Sequence, residues 1–127
     1  KINPDMIKYP IISLDGDNFY TSDILKMWNG ENLVFTFKDY QENPIYSYVK
    51  TNNINDHKPK LIDIKEKVKI SNLACTGAYA FSSGKVLLEY CDKVIINNNI
   101  QKGELYISSV IKSMVKDRFL VNIKIIN

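Results

Sequence analysis

Ser71-Asn72-Leu73-Ala74-Cys75-Thr76-Gly77-Ala78-Tyr79-Ala80-Phe81 is the stretch on which the reading of the fold turns. Its second half, Thr76 to Phe81, reads as a short strand. Ser82 or Ser83 then supplies a hydroxyl N-cap for a helix running through Val86, Leu87, Tyr90 and Cys91. After the polar turn Asn97-Asn98-Asn99, apolar residues Ile107, Val110, Ile111, Met114 and Val115 fall at i, i+3, i+4, i+7 and i+8. That spacing predicts an amphipathic helix. Phe119 to Ile126 alternates and closes the chain as a strand.

Upstream of this stretch the same logic applies. Pro10 to Leu14 is a short apolar run that predicts a buried strand entering the acidic loop Asp15-Gly16-Asp17-Asn18. Thr21, Ser22 and Asp23 offer cap oxygens for a helix over Ile24 to Trp28, stopped at Gly30. Asn32 to Lys38 and Ile45 to Lys50 are rich in β-branched and aromatic residues and predict successive strands. Thr51 to Lys60 is a polar surface loop. In Leu61 to Ile70, apolar Ile62, Ile64, Val68 and Ile70 alternate with Asp63, Lys65, Lys67 and Lys69, a two-residue period expected of a half-buried strand or a hairpin broken at Glu66. Strands and helices are interleaved along the whole chain, so the fold class is α/β.

The bulk properties bound the function. One domain, residues 1–127, is expected, with 45% hydrophobic and 24% charged residues and a net charge of +3. That excess is too small and too dispersed to argue for nucleic acid or a membrane surface. The series Lys58, Lys60, Lys65, Lys67 and Lys69 reads as the solvated edge of a strand. Cys75 and Cys91 are expected as free core thiols, with a disulfide as the alternative. His57, the single histidine, lies in the polar loop and reads as a surface residue. No apolar run is long enough to span a bilayer, and a cytoplasmic location is expected.

Two groups of residues carry chemistry. Asp15 and Asp17, two residues apart just past a buried strand, sit where open α/β sheets bind ligands. Their hard oxygen donors suit Mg²⁺, with Gly16 permitting a tight turn; the plain alternative is an acidic turn capping a helix. A D-x-D pattern after a strand also occurs in haloacid-dehalogenase-type phosphatases, which would make Asp15 a nucleophile. The later acidic pair such enzymes need is not visible.

The second group is Glu66-Lys67, the stretch Ser71 to Phe81, and Lys102-Gly103-Glu104-Leu105-Tyr106-Ile107-Ser108-Ser109-Val110. Together with Gly16-Asp17-Asn18 it resembles the sugar-phosphate nucleotidyltransferases. In that family an EK pair precedes an SN-x-A-x-TG-x-Y-x-F stretch, a helix and a GE-[LY]-x-[IL]-[TS]-D stretch, with a metal loop upstream. The resemblance implies a partial Rossmann-like mixed sheet flanked by helices, and a chain corresponding to the C-terminal, sugar-phosphate-binding part of a larger domain. It implies that a sugar phosphate attacks the α-phosphorus of a nucleoside triphosphate and releases pyrophosphate. It also implies Mg²⁺ on Asp17 with Asp15 nearby, Lys67 on the sugar phosphate, and Glu66 on sugar hydroxyls. Thr76 and Gly77 would border the sugar, with Asn72, Tyr79 and Glu104 at the rim. Tyr79 also reads as a core aromatic and Asn72 as a turn residue.

Two departures qualify the resemblance. Ser109 stands where the family has a metal-binding Asp. The glycine-rich, basic loop that wraps the triphosphate has no counterpart in Lys1 to Tyr9. A catalytically inactive binding remnant is therefore the alternative from a different class. A central parallel sheet short of its first strands would expose an edge, so an oligomer or a larger parent chain is expected.

Overall fold

Small and large residues alternate along residues 73–81, and the computed structural model, which describes residues 4–16, 20–97 and 106–126, places them on opposite faces of one central strand. Among the described residues the elements are β1 (Ile11–Leu14), β2 (Leu33–Lys38), β3 (Ser47–Thr51), β4 (Leu61–Glu66), β5 (Leu73–Phe81), α1 (Gly84–Ile96), α2 (Ile107–Lys116) and β6 (Asn122–Ile125). Short 3-10 turns occupy Pro4–Met6 and Ile24–Met27. The sheet runs β4-β3-β5-β2-β6, with β1 also paired to β5.

The strand in the middle is longer than Thr76 to Phe81: it begins at Leu73 and is nine residues long. Its Leu73, Cys75, Tyr79 and Phe81 join the larger core under α1 and α2, with Val34, Tyr90, Val94, Val110, Ile111 and Met114. Ala78 and Ala80 point to the other face, where Leu33, Phe35 and Ile24 fill the space left by the alanines. Burying each large aliphatic or aromatic side chain in these two layers is worth about 1.5–3 kcal/mol.

The helices form where the caps and periodicity direct. The Ser83 hydroxyl accepts from the Val86 N–H at 3.2 Å and starts α1. The two helices are tied by Tyr90, whose hydroxyl donates to Asp117 at 2.7 Å, and by Lys93 at 3.1 Å from the same carboxylate. Ile24 to Trp28 is only a 3-10 turn, capped by Asp23. Four residues between Asp23 and the extended Trp28 are too few to nucleate an α-helix.

Other expectations are corrected by the pairing. The sheet is mixed and flanked by helices, as the resemblance implies, but its centre is not parallel: β2 and β6 are parallel, while β1, β3 and β4 all join antiparallel. The last strand is shorter than Phe119 to Ile126, because Phe119 and Leu120 belong to the turn after α2. In β4 the buried residues are Leu61 and Ile64, while Ile62 is half exposed. The strand is irregular against β3 at Lys50 and Thr51, which breaks strict alternation. At its start, Lys60 bridges Asn122, and Leu61 donates to the Val121 carbonyl at 2.9 Å. The sheet therefore curls until its two outer strands touch.

Cys75 and Cys91 are both free thiols, as expected, and Cys75 is buried. His57 is exposed. No helix among the described residues is long and apolar enough to cross a membrane.

At the far end of β2 a buried polar pair holds the β2–β3 connection. Asp39 accepts from the Tyr48 hydroxyl at 2.7 Å and from the Gln41 N–H at 3.1 Å. The Tyr48 hydroxyl, the Gln41 N–H and the nearby Lys69 hold the Asp39 carboxyl below its usual range, against the opposing effect of burial. A lowered folded-state pKa stabilises above the unfolded-state value, and that stability is lost as pH falls through the folded pKa. Between about pH 6 and about pH 3 the urea midpoint of the wild type should therefore fall more than that of Asp39→Asn, which begins lower but is flatter. Parallel slopes for the two proteins would contradict this role for Asp39.

Candidate functional site

The sequence Cys75-Thr76-Gly77-Ala78 interrupts the pairing of β5. On β2, Val34 and Thr36 are two residues apart; their partners on β5, Tyr79 and Cys75, are four apart. β5 therefore carries two extra residues and bulges away from β2. Because two residues are inserted rather than one, the alternation of faces is preserved, and Cys75 and Tyr79 both still face the helices. Gly77 takes a φ of 94° in the bulge, where a side chain is strained. The Thr76 hydroxyl supplies part of the hydrogen bonding that the regular ladder loses. It donates to the Phe35 carbonyl at 3.0 Å and accepts from the Ala78 N–H at 3.2 Å.

The other edge of β5 is shared by two strands. β3 meets it at Ala74, and β1 meets it from Ala78 to Phe81. Between them the edge opens, and a cleft of about 720 Å³ lies there. Asp15 borders it, its N–H donating to the Gly77 carbonyl at 3.0 Å as the last rung of the β1 ladder. Tyr20 reaches in from the following loop and donates its hydroxyl to the Thr76 carbonyl at 3.0 Å.

Glu66 enters from the opposite side, at the last position of β4. Its carboxylate accepts from the Ser47 hydroxyl on β3 and from the Ser108 hydroxyl, at 3.4 Å, in the first turn of α2. That helix has no side-chain cap, so the Glu66 charge at its N-terminal end is favourable. Lys67 immediately follows with a φ of 53°, its N–H donating to the Tyr46 carbonyl at 2.9 Å. This left-handed residue ends β4 and leaves Glu66 at the cleft.

The structure brings Asp15, Glu66, Thr76, Gly77 and Tyr79 to one cleft. Lys67 and Asn72 do not line it. Lys67 is exposed beside it, and Asn72 sits in separate grooves with Tyr40, Ile70 and Ser71, near the Leu73 end of β5. Asp17 and Glu104 lie outside the described residues. Ser109 lines an adjoining groove with Lys65 and Lys112, and Glu66 and Ser108 line both that groove and the cleft. Gly16 has no atom within 4 Å of where a Cβ would stand and no positive φ, so the chain itself does not demand a glycine there.

Phe37, Tyr46 and Ser47 also line the cleft without a signal in the sequence, and Tyr106 and Ser108 line it as members of the Lys102–Val110 stretch to which no role was assigned. Tyr46 and Ser47 were legible only as strand residues. Phe37 and Tyr46 meet edge to face with ring centroids 5.1 Å apart. Burial pushes the Cys75 thiol up to about 12, so at neutral pH it stays protonated, unlike an activated nucleophile. Burial likewise raises Tyr79, whose hydroxyl shares hydrogen bonds with Cys75 and Ser47. Among the described residues no group of three or more His, Cys, Asp or Glu side chains gathers to hold a metal. The donors present at the cleft are carboxylate and hydroxyl oxygens, the type Mg²⁺ takes.

No family profile matches the chain, and no curated protein matches it. Solved structures do. A nucleoside-diphosphate-sugar pyrophosphorylase from Vibrio cholerae superposes with a TM-score of 0.72 at 23% identity, over 92% of this chain and 48% of that one. Its fold is shared by this chain. A UDP-glucose pyrophosphorylase complexed with UDP-glucose gives 0.70 at 14% identity, over 94% of this chain and 49% of that one. The apo form of a UDP-glucose pyrophosphorylase gives 0.65 at 14%, over 91% and 46%. The chain thus spans about half the length of the structures it matches, and at these identities the likeness is one of fold.

The bulge makes a direct prediction. Gly77→Ala should lower stability in urea unfolding by more than about 1 kcal/mol, since a Cβ is strained at that φ. Gly16→Ala should stay within about 0.5 kcal/mol of wild type. Equal effects at the two glycines would show that the bulge does not need its positive φ.

Proposed function

We propose that the chain is the acceptor-binding part of a nucleotidyltransferase, holding a sugar phosphate or a similar small phosphorylated molecule. In the reaction, an oxygen of the acceptor phosphate attacks the α-phosphorus of a nucleoside triphosphate. A new P–O bond forms, the bond between the α-phosphorus and the bridging oxygen breaks, and pyrophosphate leaves. The observation that carries this reading is the convergence of the Asp15 turn, Glu66 and the Thr76–Gly77 bulge on one cleft. Its volume is in the range of small-molecule sites.

In this reading Glu66, oriented by the Ser47 and Ser108 hydroxyls, accepts hydrogen bonds from the acceptor's polar groups. Gly77 lets the acceptor lie against the β5 backbone. Mg²⁺ would be held by Asp15 and Asp17 and would supply charge neutralisation at the phosphates. The protein needs no nucleophile of its own, in keeping with a protonated Cys75 and a remote His57; its work is positioning. The remaining half of the relatives' length would supply the nucleotide site, from a longer chain or a partner.

One observation favours a second reading, a binding domain without turnover. No lysine, arginine or histidine lines the cleft among the described residues, so the charge of a transferring phosphoryl group has little to oppose it.

The assay that tests these readings mixes the protein, Mg²⁺, each nucleoside triphosphate and a panel of phosphorylated acceptors, and follows pyrophosphate. Acceptor-dependent release is expected, falling at least about 10-fold in Glu66→Gln with most of the change in the acceptor KM. Saturable acceptor binding without release supports the binding domain. Release of inorganic phosphate abolished by Asp15→Asn would replace both with the phosphatase reading.

A further inference from the structure

Asp15 is exposed, and Gly16 after it has neither a positive φ nor an atom near the place of its missing Cβ. The glycine therefore gives this turn no fixed shape, and two hydrogen bonds to the bulge tie it down. At one end the Asp15 N–H donates to the Gly77 carbonyl at 3.0 Å. At the other the Tyr20 hydroxyl donates to the Thr76 carbonyl, also at 3.0 Å. Two successive carbonyls of β5 thus receive the two ends of the stretch from Asp15 to Tyr20.

Both sides of the Tyr20 tether are rigid. Thr76 is locked by its own hydroxyl, which donates to the carbonyl of the fully buried Phe35 and accepts from the Ala78 N–H. The Tyr20 ring packs against the second core layer of Ile24, Leu33, Phe35, Ala78 and Ala80. Its hydroxyl therefore carries the position of that core to the far end of the acidic turn. Asp15, Tyr20, Thr21 and Thr76 all line the cleft. The backbone places an exposed side chain such as that of Asp15. A ligand-binding group held in place beforehand binds more tightly than one that must be ordered on binding.

We infer that Tyr20 is a positioning residue for Asp15: its phenol fastens the second end of the acidic turn to the β5 bulge and so sets where the Asp15 carboxylate stands in the cleft. Tyr20 acts through Asp15 and not on the ligand. In giving that carboxylate a Mg²⁺ to hold, the inference rests on the transferase reading above, but its test reads the metal and not turnover.

The probe is Mn²⁺, a paramagnetic substitute for Mg²⁺, titrated into the isotope-labelled protein and followed by the broadening of the Asp15 and Gly77 amide signals. Tyr20→Phe keeps the ring on the core layer and removes only the hydroxyl. It should weaken Mn²⁺ binding about 3- to 10-fold, and Asp15→Asn should weaken it further. Tyr90→Phe removes another phenol hydrogen bond, 2.7 Å to Asp117, outside the cleft lining, and should leave Mn²⁺ affinity at the wild-type value. Circular dichroism confirms that the variants are folded. Wild-type affinity in Tyr20→Phe, an equal loss in Tyr90→Phe, or Mn²⁺ broadening that is absent or untouched by Asp15→Asn would overturn the inference. The pyrophosphate assay separates it from the transferase reading. Tyr20-dependent Mn²⁺ binding with no release from any acceptor leaves the tether standing and removes the transferase. Release that is undiminished in Tyr20→Phe at limiting Mg²⁺ does the reverse.

Discussion

Everything at the cleft depends on the two extra residues in β5. A strand paired regularly on both edges presents no cavity, because each backbone group is taken by a neighbour. The insertion at Thr76–Gly77 costs ladder hydrogen bonds and places Gly77 at a φ that side chains avoid. The Thr76 hydroxyl offsets part of that loss, and the even size of the insertion keeps Cys75 and Tyr79 in the core. The result is a rigid interruption in the middle of a sheet, at the point where β1 and β3 part.

The positions of the other groups follow from that interruption. β1 ends against Gly77 and delivers Asp15. The left-handed Lys67 stops β4 with Glu66 at the rim, and α2 begins beside it with an uncapped N-terminal turn. Carboxylate, hydroxyls and helix end support one another electrostatically, so Glu66 is oriented without a basic partner from the described chain. Packing behind this wall is dense: Tyr79 and Cys75 lie between the cleft and the α1–α2 layer, and both stay protonated because they are buried.

Local sequence made much of this legible. Periodicity and caps gave α1 and α2, because Ser83 and the Ile107-to-Val115 spacing need no information from distant residues. The Thr76-Gly77 pair, Glu66 and Asp15 stood out by type and order. The mixed sheet followed from the resemblance, but the direction of each pair did not, since a parallel or antiparallel partner is chosen by connections far away in sequence. Lys67 was expected at the site because it adjoins Glu66, but neighbours on a chain leaving a strand point apart, and its positive φ turns it away from the lining. Asn72 was tied to the site by its motif, yet the length of β5 carries it to another groove. Phe37 and Tyr46 gave no signal beyond strand propensity; only folding brings them together.

A ligand held where the bulge opens the edge of β5 would perturb the residues around that bulge first. Backbone amide shifts recorded on adding glucose 1-phosphate with Mg²⁺ measure this. The largest changes are expected at Asp15, Glu66, Thr76, Gly77 and Ser108. Changes gathered instead along the groove of Lys38, Lys50 and Asn72, with the bulge silent, would contradict it.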